Sequence, residues 1–287
     1  MVFSLKRLGG ALGIFLLLIA PQSVRALGGI GIGSLRVMAS ERAYAKPRFS
    51  SHDRAFVPVL IYHHVKWLKP TDNAIERGLT VLPSELSAQL NFLVKNHYHP
   101  ISAAALVRYL HSGGKLPSDP VVLSFDDGYV DMFGTVYSLL RKMHMTATFF
   151  IVPGFLGTPR YLSWKQVEQM AGTGMDIEAH SMTHPDLTTV PSAQQWTEVA
   201  QSRHELEQRV HRAVRIFAYP YGAYNASVVR AVAKAGYWGA FTTHEGWWEN
   251  RNELLTLSRL YVDIDDSPQI FAGRLRADPA VLAADPT

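Results

Sequence analysis

The sequence Val121-Val122-Leu123-Ser124-Phe125-Asp126-Asp127-Gly128 decides the fold, because it joins a short β-rich run to two adjacent carboxylates and a glycine. Apolar runs of this length are typical of strands buried on both faces of a parallel sheet. Comparable runs lie on both sides of it, separated by helical patterns, at 57–62, 147–152, 176–179, 216–219, 239–243 and 257–262. This alternation predicts an α/β protein with a parallel sheet of seven strands.

Seven strands with little sign of a crossover favour one distorted or incomplete (β/α)7-type barrel, with its site on the C-terminal rim of the strands. An open, doubly wound sheet also satisfies the alternation and is the alternative fold. Two helix starts are legible, a capping box at 163–166 and an N-cap at Asn225 before a helix at 226–235. The helix after Pro191 carries a stripe that predicts core packing, formed by Trp196, Val199, Arg203, Leu206 and Val210.

Residues 1–26 have the pattern of a secretory signal peptide, with Lys6 and Arg7 before an apolar run from Leu8 to Ala20. An uncleaved membrane anchor is the alternative, but the run is shorter than the roughly 20 residues that span a bilayer. We therefore expect an exported protein that is periplasmic, secreted or held at the cell surface. The remainder divides into a flexible Gly-rich linker at 27–55, one domain at 56–276 and a tail at 277–287.

The composition excludes several classes of protein. The chain has 287 residues, of which 47% are hydrophobic, enough for one sizeable core. It has no cysteine, which excludes disulfides, thiolate metal sites and cysteine nucleophiles. The net charge is +4, and three basic residues within 1–26 leave only +1 for the rest, too little to indicate a nucleic-acid partner. No later stretch indicates a transmembrane partner.

Unusual polar residues follow directly on four of the predicted strands. They are His63-His64, Asp126-Asp127-Gly128, His180 and Pro220-Tyr221-Gly222. Because the carboxyl ends of barrel strands converge on one rim, we expect these residues to share a site.

Asp126 and Asp127 before a glycine could form an ordinary Asp-Gly turn. His180 and His184 could equally be surface histidines, since the chain contains 12 histidines. Taken together, two imidazoles and one carboxylate leave an open coordination position, which is the arrangement of catalytic zinc sites. The other carboxylate can then act as a base towards water. The combination predicts a hydrolytic metal site.

Three ordered motifs resemble those of the polysaccharide deacetylase family, also called the NodB-homology family or carbohydrate esterase family four. They are Ser124-Phe125-Asp126-Asp127-Gly128, His180-Ser181-Met182-Thr183-His184-Pro185 and Phe217-Ala218-Tyr219-Pro220-Tyr221-Gly222. The likeness covers most of residues 56–265. Tyr62-His63-His64-Val65 and the third motif resemble, more narrowly, the biofilm poly-β-1,6-N-acetylglucosamine deacetylases.

The resemblance implies metal-dependent hydrolysis of N-acetyl groups from an N-acetylglucosamine-containing polysaccharide, with release of acetate. It implies metal-bound water as the nucleophile and Asp126 as the general base. It assigns Asp127, His180 and His184 to one divalent ion, expected to be Zn²⁺, with Co²⁺ or Ni²⁺ as alternatives. The backbone N–H of Tyr221 is implied to stabilise the oxyanion.

The general acid is one departure from the family, because the segment 257–260 contains no histidine where the family usually has an Asp-His arrangement. His63 is the candidate acid, and His64 and His244 are the alternatives, since each is expected near a strand's rim end.

Arg259 is assigned two predicted roles. Ala218 stands where many family members have an arginine that orients the catalytic aspartate, and we hypothesise that Arg259 substitutes for it. Arg259 is also expected among the substrate-binding residues. The other expected contacts are aromatic side chains suited to sugar rings, at Tyr221, Tyr224, Trp247 and Trp248.

Two other functions stay open. An O-acetyl esterase on xylan or another glycan would use the same chemistry, and an ester depends less than an amide on a general acid. A catalytically silent glycan-binding module would keep the fold and the aromatic residues, a possibility prompted by Ala218 and the altered late motif.

Overall fold

The computed structural model describes residues 53–262, 264 and 266–276, and these residues belong to one compact unit. The predicted signal peptide, the predicted tail and most of the predicted linker lie outside these residues. Arg54 and Ala55, which the prediction assigns to the linker, lie in the first strand. No helix in the described ranges is long and apolar enough to cross a membrane.

Twelve strands and eight α-helices are formed within the described residues, and they are numbered along the chain. The strands are β1 (Arg54–Phe56), β2 (Val59–Tyr62), β3 (His64–Val65), β4 (Thr80–Val81), β5 (His99–Ile101), β6 (Pro120–Asp127), β7 (Thr148–Ile151), β8 (Asp176–Ala179), β9 (Ile216–Ala218), β10 (Gly239–Phe241), β11 (Trp248–Asn250) and β12 (Leu260–Tyr261). The α-helices are α1 (Ala74–Gly78), α2 (Pro83–Lys95), α3 (Ala103–Ser112), α4 (Ser138–Lys142), α5 (Trp164–Gly172), α6 (Ser192–Val210), α7 (Ala226–Lys234) and α8 (Pro268–Arg274).

The main sheet is parallel, and its strands follow the order β10-β9-β8-β7-β6-β2-β12, with β5 added beside the start of β6. All seven predicted strands are in it. The sheet curls into a half-barrel, which confirms the prediction of an incomplete barrel. Phe241 also bridges to Leu257, so the segment leading into β12 lies beside β10 and brings the two edges towards each other.

Two apolar cores lie on opposite faces of the curled sheet, because successive side chains of a strand point to opposite sides. The outer core holds Leu123, Phe125 and Phe149 beneath the surrounding helices. The inner core holds Val122 and Phe150 together with Leu106, Val107 and Leu110 of α3. Helix α3 therefore fills the inner face near the amino ends of the strands and leaves the carboxyl ends to polar side chains.

Both predicted helix starts are confirmed. Ser163 and Gln166 form a reciprocal capping box at α5. The Asn225 side chain accepts hydrogen bonds from the N–H groups of Ser227 and Val228 at α7. These bonds satisfy amides that have no partner within the helix.

The predicted stripe of α6 is only partly buried. Val199, Leu206 and Val210 are buried, but the side chain of Trp196 is 39% exposed. Three polar residues take places on the buried face instead, at Gln195, Glu198 and Ser202. The prediction failed here because a pattern of apolar residues cannot register buried polar side chains that have partners.

Glu249 on β11 is a buried acid with few partners. It is 1% exposed; its Oε2 accepts a 3.2 Å hydrogen bond from the Ser258 N–H, and its Oε1 has no partner among the described residues. Burial raises its pKa well above the usual range of a glutamate. The folded chain therefore holds this proton more tightly than the unfolded chain does.

We predict that Glu249→Gln stabilises the protein increasingly as pH rises. Because the pKa of Glu249 is higher in the folded chain than in the unfolded chain, protonation favours folding at low pH. This contribution is complete below the unfolded-state pKa and is lost as pH rises through the folded-state pKa. Free energies of unfolding measured by urea between about pH 4 and pH 8 should diverge between wild type and variant, since about 4.3 is the ordinary glutamate pKa. Glu168→Gln, at an exposed position on α5, is the control and should show no such divergence. A gain that is equal at every pH would contradict the prediction.

Candidate active site

Strand register brings Asp127, His180 and His184 together. Asp127 ends β6 and pairs with Ile151, which in turn pairs with Ala179 at the end of β8. His180 follows Ala179 directly, and a short loop returns the chain to His184. The Nε2 atoms of His180 and His184 lie 3.4 Å and 3.3 Å from Asp127 Oδ1. One ligand atom from each residue lies within 4.8 Å of the other two, as a shared metal ion requires.

The hydrogen bonds of this cluster fit a bound cation. His180 Nδ1 is 2.8 Å from the carbonyl oxygen of Ala218, which can only accept, so Nδ1 carries the proton and Nε2 presents its lone pair to the cluster. Asp127 Oδ1 is buried and has no hydrogen-bond partner among the described residues. An unpartnered buried carboxylate oxygen is costly unless a cation binds it.

The electrostatics of the cluster also favour a cation. Burial alone would raise the pKa of Asp127, but its interactions with His180, His63 and His184 outweigh burial and hold that pKa below the usual range. Burial and the proximity of His180 lower the pKa of His184 to about 4, so its ring is neutral and able to coordinate at neutral pH. Burial opposes a charge on His180, yet Asp126 and Asp127 raise its pKa by attracting the proton.

The backbone at the site is held in conformations that non-glycine residues seldom adopt. Asp127, Ser181, His184 and Tyr221 have φ angles of 76°, 61°, 60° and 58°. Such residues each cost about 1–3 kcal/mol and persist only where surrounding contacts fix them. Four of the eight such residues in the described part of the chain lie at this rim, which makes it a candidate functional site.

Asp126 is held by a buried guanidinium. Arg259 Nη1 lies 2.8 Å from Asp126 Oδ1 and 3.4 Å from Ser124 Oγ, and Arg259 Nε donates to the Thr242 carbonyl oxygen at 2.9 Å. Burial would raise the pKa of Asp126, but Arg259 and His180 outweigh it and keep the pKa below its usual value. The carboxylate is therefore ionised, and its Oδ2 lies 3.8 Å from His180 Nε2.

The hypothesis that Arg259 orients Asp126 is consistent with these contacts. The expected substrate contact of Arg259 is wrong, because the side chain is 0% exposed and its hydrogen bonds run to protein groups.

The three candidate acids occupy different environments. His63 is partly buried and interacts electrostatically with Asp127 and Asp126; burial lowers its pKa. His64 is buried against Tyr129, and its Nδ1 is 3.2 Å from Asp131 Oδ1. His244 is exposed. Of the three, His63 is the one that interacts electrostatically with both Asp126 and Asp127.

Among the expected sugar-binding aromatics, Tyr221 lies at the site. Its ring is 67% exposed and meets the edge of His184 at a centroid distance of 4.7 Å. Tyr224 packs near His244 and Tyr219 in the neighbouring loop.

The expected substrate contacts of Trp247 and Trp248 do not fit the structure. Trp248 pairs with Phe56 in the antiparallel ladder of β1 and β11. Phe56 precedes Tyr62, the last residue of β2, by a length of chain that spans roughly 20 Å when extended. Trp247 donates from Nε1 to the Arg274 carbonyl oxygen. The Trp248 ring therefore lies towards the amino ends of the strands, and the Trp247 ring is held against α8.

A row of aromatic rings beside the cluster was not predicted from the sequence. The rings of Tyr129 and Tyr161 stack with their centroids 5.1 Å apart, and the Tyr161 ring lies 4.7 Å from that of Phe155. The Phe155 ring in turn lies near the ring of His184. The Tyr129 hydroxyl interacts with Asp127. Burial is the largest cause of the raised pKa of this phenol, and the negative charge of Asp127 is the second. The position of Tyr129 directly after Asp126-Asp127-Gly128 was the signal that could have indicated it.

The half-barrel and the Asp-His-His cluster define an α/β protein whose rim carries a candidate metal site. The polysaccharide deacetylase family profile matches residues 113–240. YxkH of Bacillus subtilis, whose name refers to a polysaccharide deacetylase, is 28% identical over 78% of this chain and 77% of its own. A poly-β-1,6-N-acetyl-D-glucosamine N-deacetylase of Staphylococcus epidermidis is 26% identical over 65% of this chain and 72% of its own.

Among solved structures, the Streptococcus pyogenes deacetylase PplD in complex with acetate superposes with a TM-score of 0.71 at 29% identity, covering 76% of this chain and 97% of that one. IcaB from Ammonifex degensii shares the fold, with a TM-score of 0.67 at 21% identity, over 78% of this chain and 97% of that one. The family profile, the curated relatives and the solved structures are all similar to polysaccharide deacetylases, which confirms the resemblance seen in the motifs.

We predict that Arg259→Met costs about 3–5 kcal/mol of unfolding free energy, because it leaves a buried carboxylate without its cation. Asp126→Asn in the same chain should recover part of that loss, giving a coupling of more than about 1 kcal/mol in a urea double-mutant cycle. The matched control is the exposed pair Arg251–Asp53, where Arg251→Met should cost less than about 1 kcal/mol. Additive losses at Arg259 and Asp126 would show that the pair is not coupled.

Proposed function

We propose that the protein is a metal-dependent N-deacetylase that removes acetyl groups from an N-acetylglucosamine-containing polysaccharide. The observation that carries this proposal is the juxtaposition of an ionised, arginine-held Asp126 with the Asp127-His180-His184 cluster. A binding module has no physical need for a base beside a metal site.

Asp127, His180 and His184 would hold one divalent ion, with Zn²⁺ favoured by the imidazole-rich donor set and Co²⁺ or Ni²⁺ as alternatives. When bound, such an ion lowers the pKa of water and polarises the acetamide carbonyl. Asp126 accepts the proton of the attacking water, and Arg259 keeps its carboxylate ionised and oriented.

The remaining steps fall to residues on the same rim. The backbone N–H of Tyr221 donates to the oxyanion that forms on the acetyl carbon. His63 donates a proton to the sugar nitrogen as the C–N bond breaks, which yields acetate and a free amine. His63 is suited to this step because it interacts electrostatically with both carboxylates.

Two observations support the substrate. Relatives of this chain carry the name poly-β-1,6-N-acetyl-D-glucosamine N-deacetylase. The exposed ring of Tyr221 stands beside His184, where it can pack against the apolar face of a sugar next to the acetamide. An exported location, proposed from the sequence of residues 1–26, would give the enzyme access to such a polymer.

The second candidate function is O-acetyl ester hydrolysis on a glycan. The lowered pKa of His63 favours it, because a weakly protonated acid serves an alcohol leaving group better than it serves an amine.

We predict that metal-stripped protein releases no acetate from N-acetylglucosamine oligomers and that Zn²⁺ or Co²⁺ restores release. Asp126→Asn should lower the rate by about 10²–10⁴-fold, the usual contribution of a general base. Acetate is measured by an enzyme-coupled assay, and acetylated xylan oligomers serve as the comparison substrate. Release from xylan alone would establish the esterase, and retained oligomer binding without release from either substrate would establish a silent glycan-binding protein.

We predict that His63→Gln separates the two bond types. Acetamide hydrolysis should fall by about 10²–10⁴-fold, because the amine cannot leave without a proton. Hydrolysis of 4-nitrophenyl acetate, whose leaving group needs no proton, should fall far less. His244→Gln is the control and should leave both rates unchanged. Equal losses on the two substrates at His63 would rule out its role as the acid.

A further inference from the structure

The loop Ser181–His184, here called the ligand loop, determines where the two imidazoles meet. It begins directly after His180 and ends on His184. Ser181 and His184 both lie in the left-handed region, with φ of 61° and 60°. Each costs free energy in a non-glycine residue. Within the loop, the His184 N–H donates to Ser181 Oγ at 2.9 Å, and contacts from outside the loop add to this bond.

Glu198 on α6 supplies those contacts. One oxygen, Oε2, accepts hydrogen bonds from the N–H groups of Met182 and Thr183 at 2.9 Å and 2.7 Å. The other, Oε1, accepts from Thr183 Oγ1 at 2.5 Å. The side chain is 5% exposed, and two successive amides that converge on one carboxylate form an anion-binding concavity. Bonds made to a buried charge are stronger than neutral ones, so they can offset the strain of the loop.

The loop is braced on its other face by Gly154. Its N–H donates to the Met182 carbonyl oxygen at 2.9 Å, and a Cβ at this position would lie 2.5 Å from that oxygen. The peptide groups around Met182 are thus fixed between Gly154 and Glu198. Neither residue contributes a ligand atom to the cluster.

We propose that Glu198 is a positioning residue for the metal centre, acting through the ligand loop to set the distance between the His180 and His184 nitrogens. The inference rests on the proposed metal site and names the group that preorganises it. Residues behind the ligands of a metal site typically change metal affinity by about 10–100-fold when they are removed.

The test measures Zn²⁺ affinity by calorimetry and the Co²⁺ absorption spectrum, which reports ligand geometry, on the full chain. Glu198→Ala should weaken Zn²⁺ binding by about 10–100-fold and alter the Co²⁺ spectrum. Glu198→Gln should lose less than about tenfold, because the amide oxygen can still accept both N–H groups while the NH₂ group faces the Thr183 hydroxyl. This rescue distinguishes loop positioning from a loss of packing.

Gln195→Ala is the matched control. Gln195 lies one turn earlier on α6, is 4% exposed, and donates to the carbonyl oxygens of Leu187 and Val190 beyond the loop. The Gln195→Ala variant and the Glu198→Ala variant should both lower the melting temperature of the metal-free protein. Only Glu198→Ala should weaken Zn²⁺ binding. Equal affinity losses in both variants, or an unchanged affinity and spectrum in Glu198→Ala, would overturn the proposal.

The readout is independent of catalysis. Asp127→Asn, which removes a ligand charge, serves as the reference for a damaged site. Wild-type protein that binds the ion but releases no acetate would count against the proposed deacetylation alone. Loss of affinity in Glu198→Ala would still support the positioning role.

Discussion

The buried contact between Arg259 and Asp126 is the constraint on which the rest of the structure depends. Arg259 stands just before β12, at one edge of the sheet, and its guanidinium reaches both the Thr242 carbonyl oxygen beyond β10, at the other edge, and Asp126 on the central strand β6. It therefore ties the two open edges of the half-barrel to the middle of the sheet. A charge with 0% exposure is tolerable only with such partners.

Much of this fold follows from the sequence because parallel strands leave a simple signature. Buried apolar runs between helical patterns specify the sheet, and the carboxyl ends of its strands converge on one rim. That rule alone places Asp126, Asp127 and His180 together, and it places His184 near them because so short a loop cannot carry it far. The registers of β6, β7 and β8 agree with this placement.

The remaining parts of the site depend on contacts between segments distant in sequence. Trp248 was expected at the rim, but an antiparallel ladder with β1 takes it towards the amino ends of the strands. No periodicity in either short segment indicates that pairing. Glu198 was overlooked for a different reason, since an acid between apolar positions of a helix resembles a solvated residue until its partners on another loop are known. Buried polar groups are specified by their partners, and hydrophobic patterns do not contain them.

Helix α3 covers the inner face of the half-barrel near the amino ends of the strands. Leu106, Val107 and Leu110 pack against Val122 and Phe150, so the inside of the sheet is solid below the level of Asp126. A polymer that reaches the proposed site would therefore have to approach from the carboxyl ends of the strands, because side chains fill the inner face below Asp126.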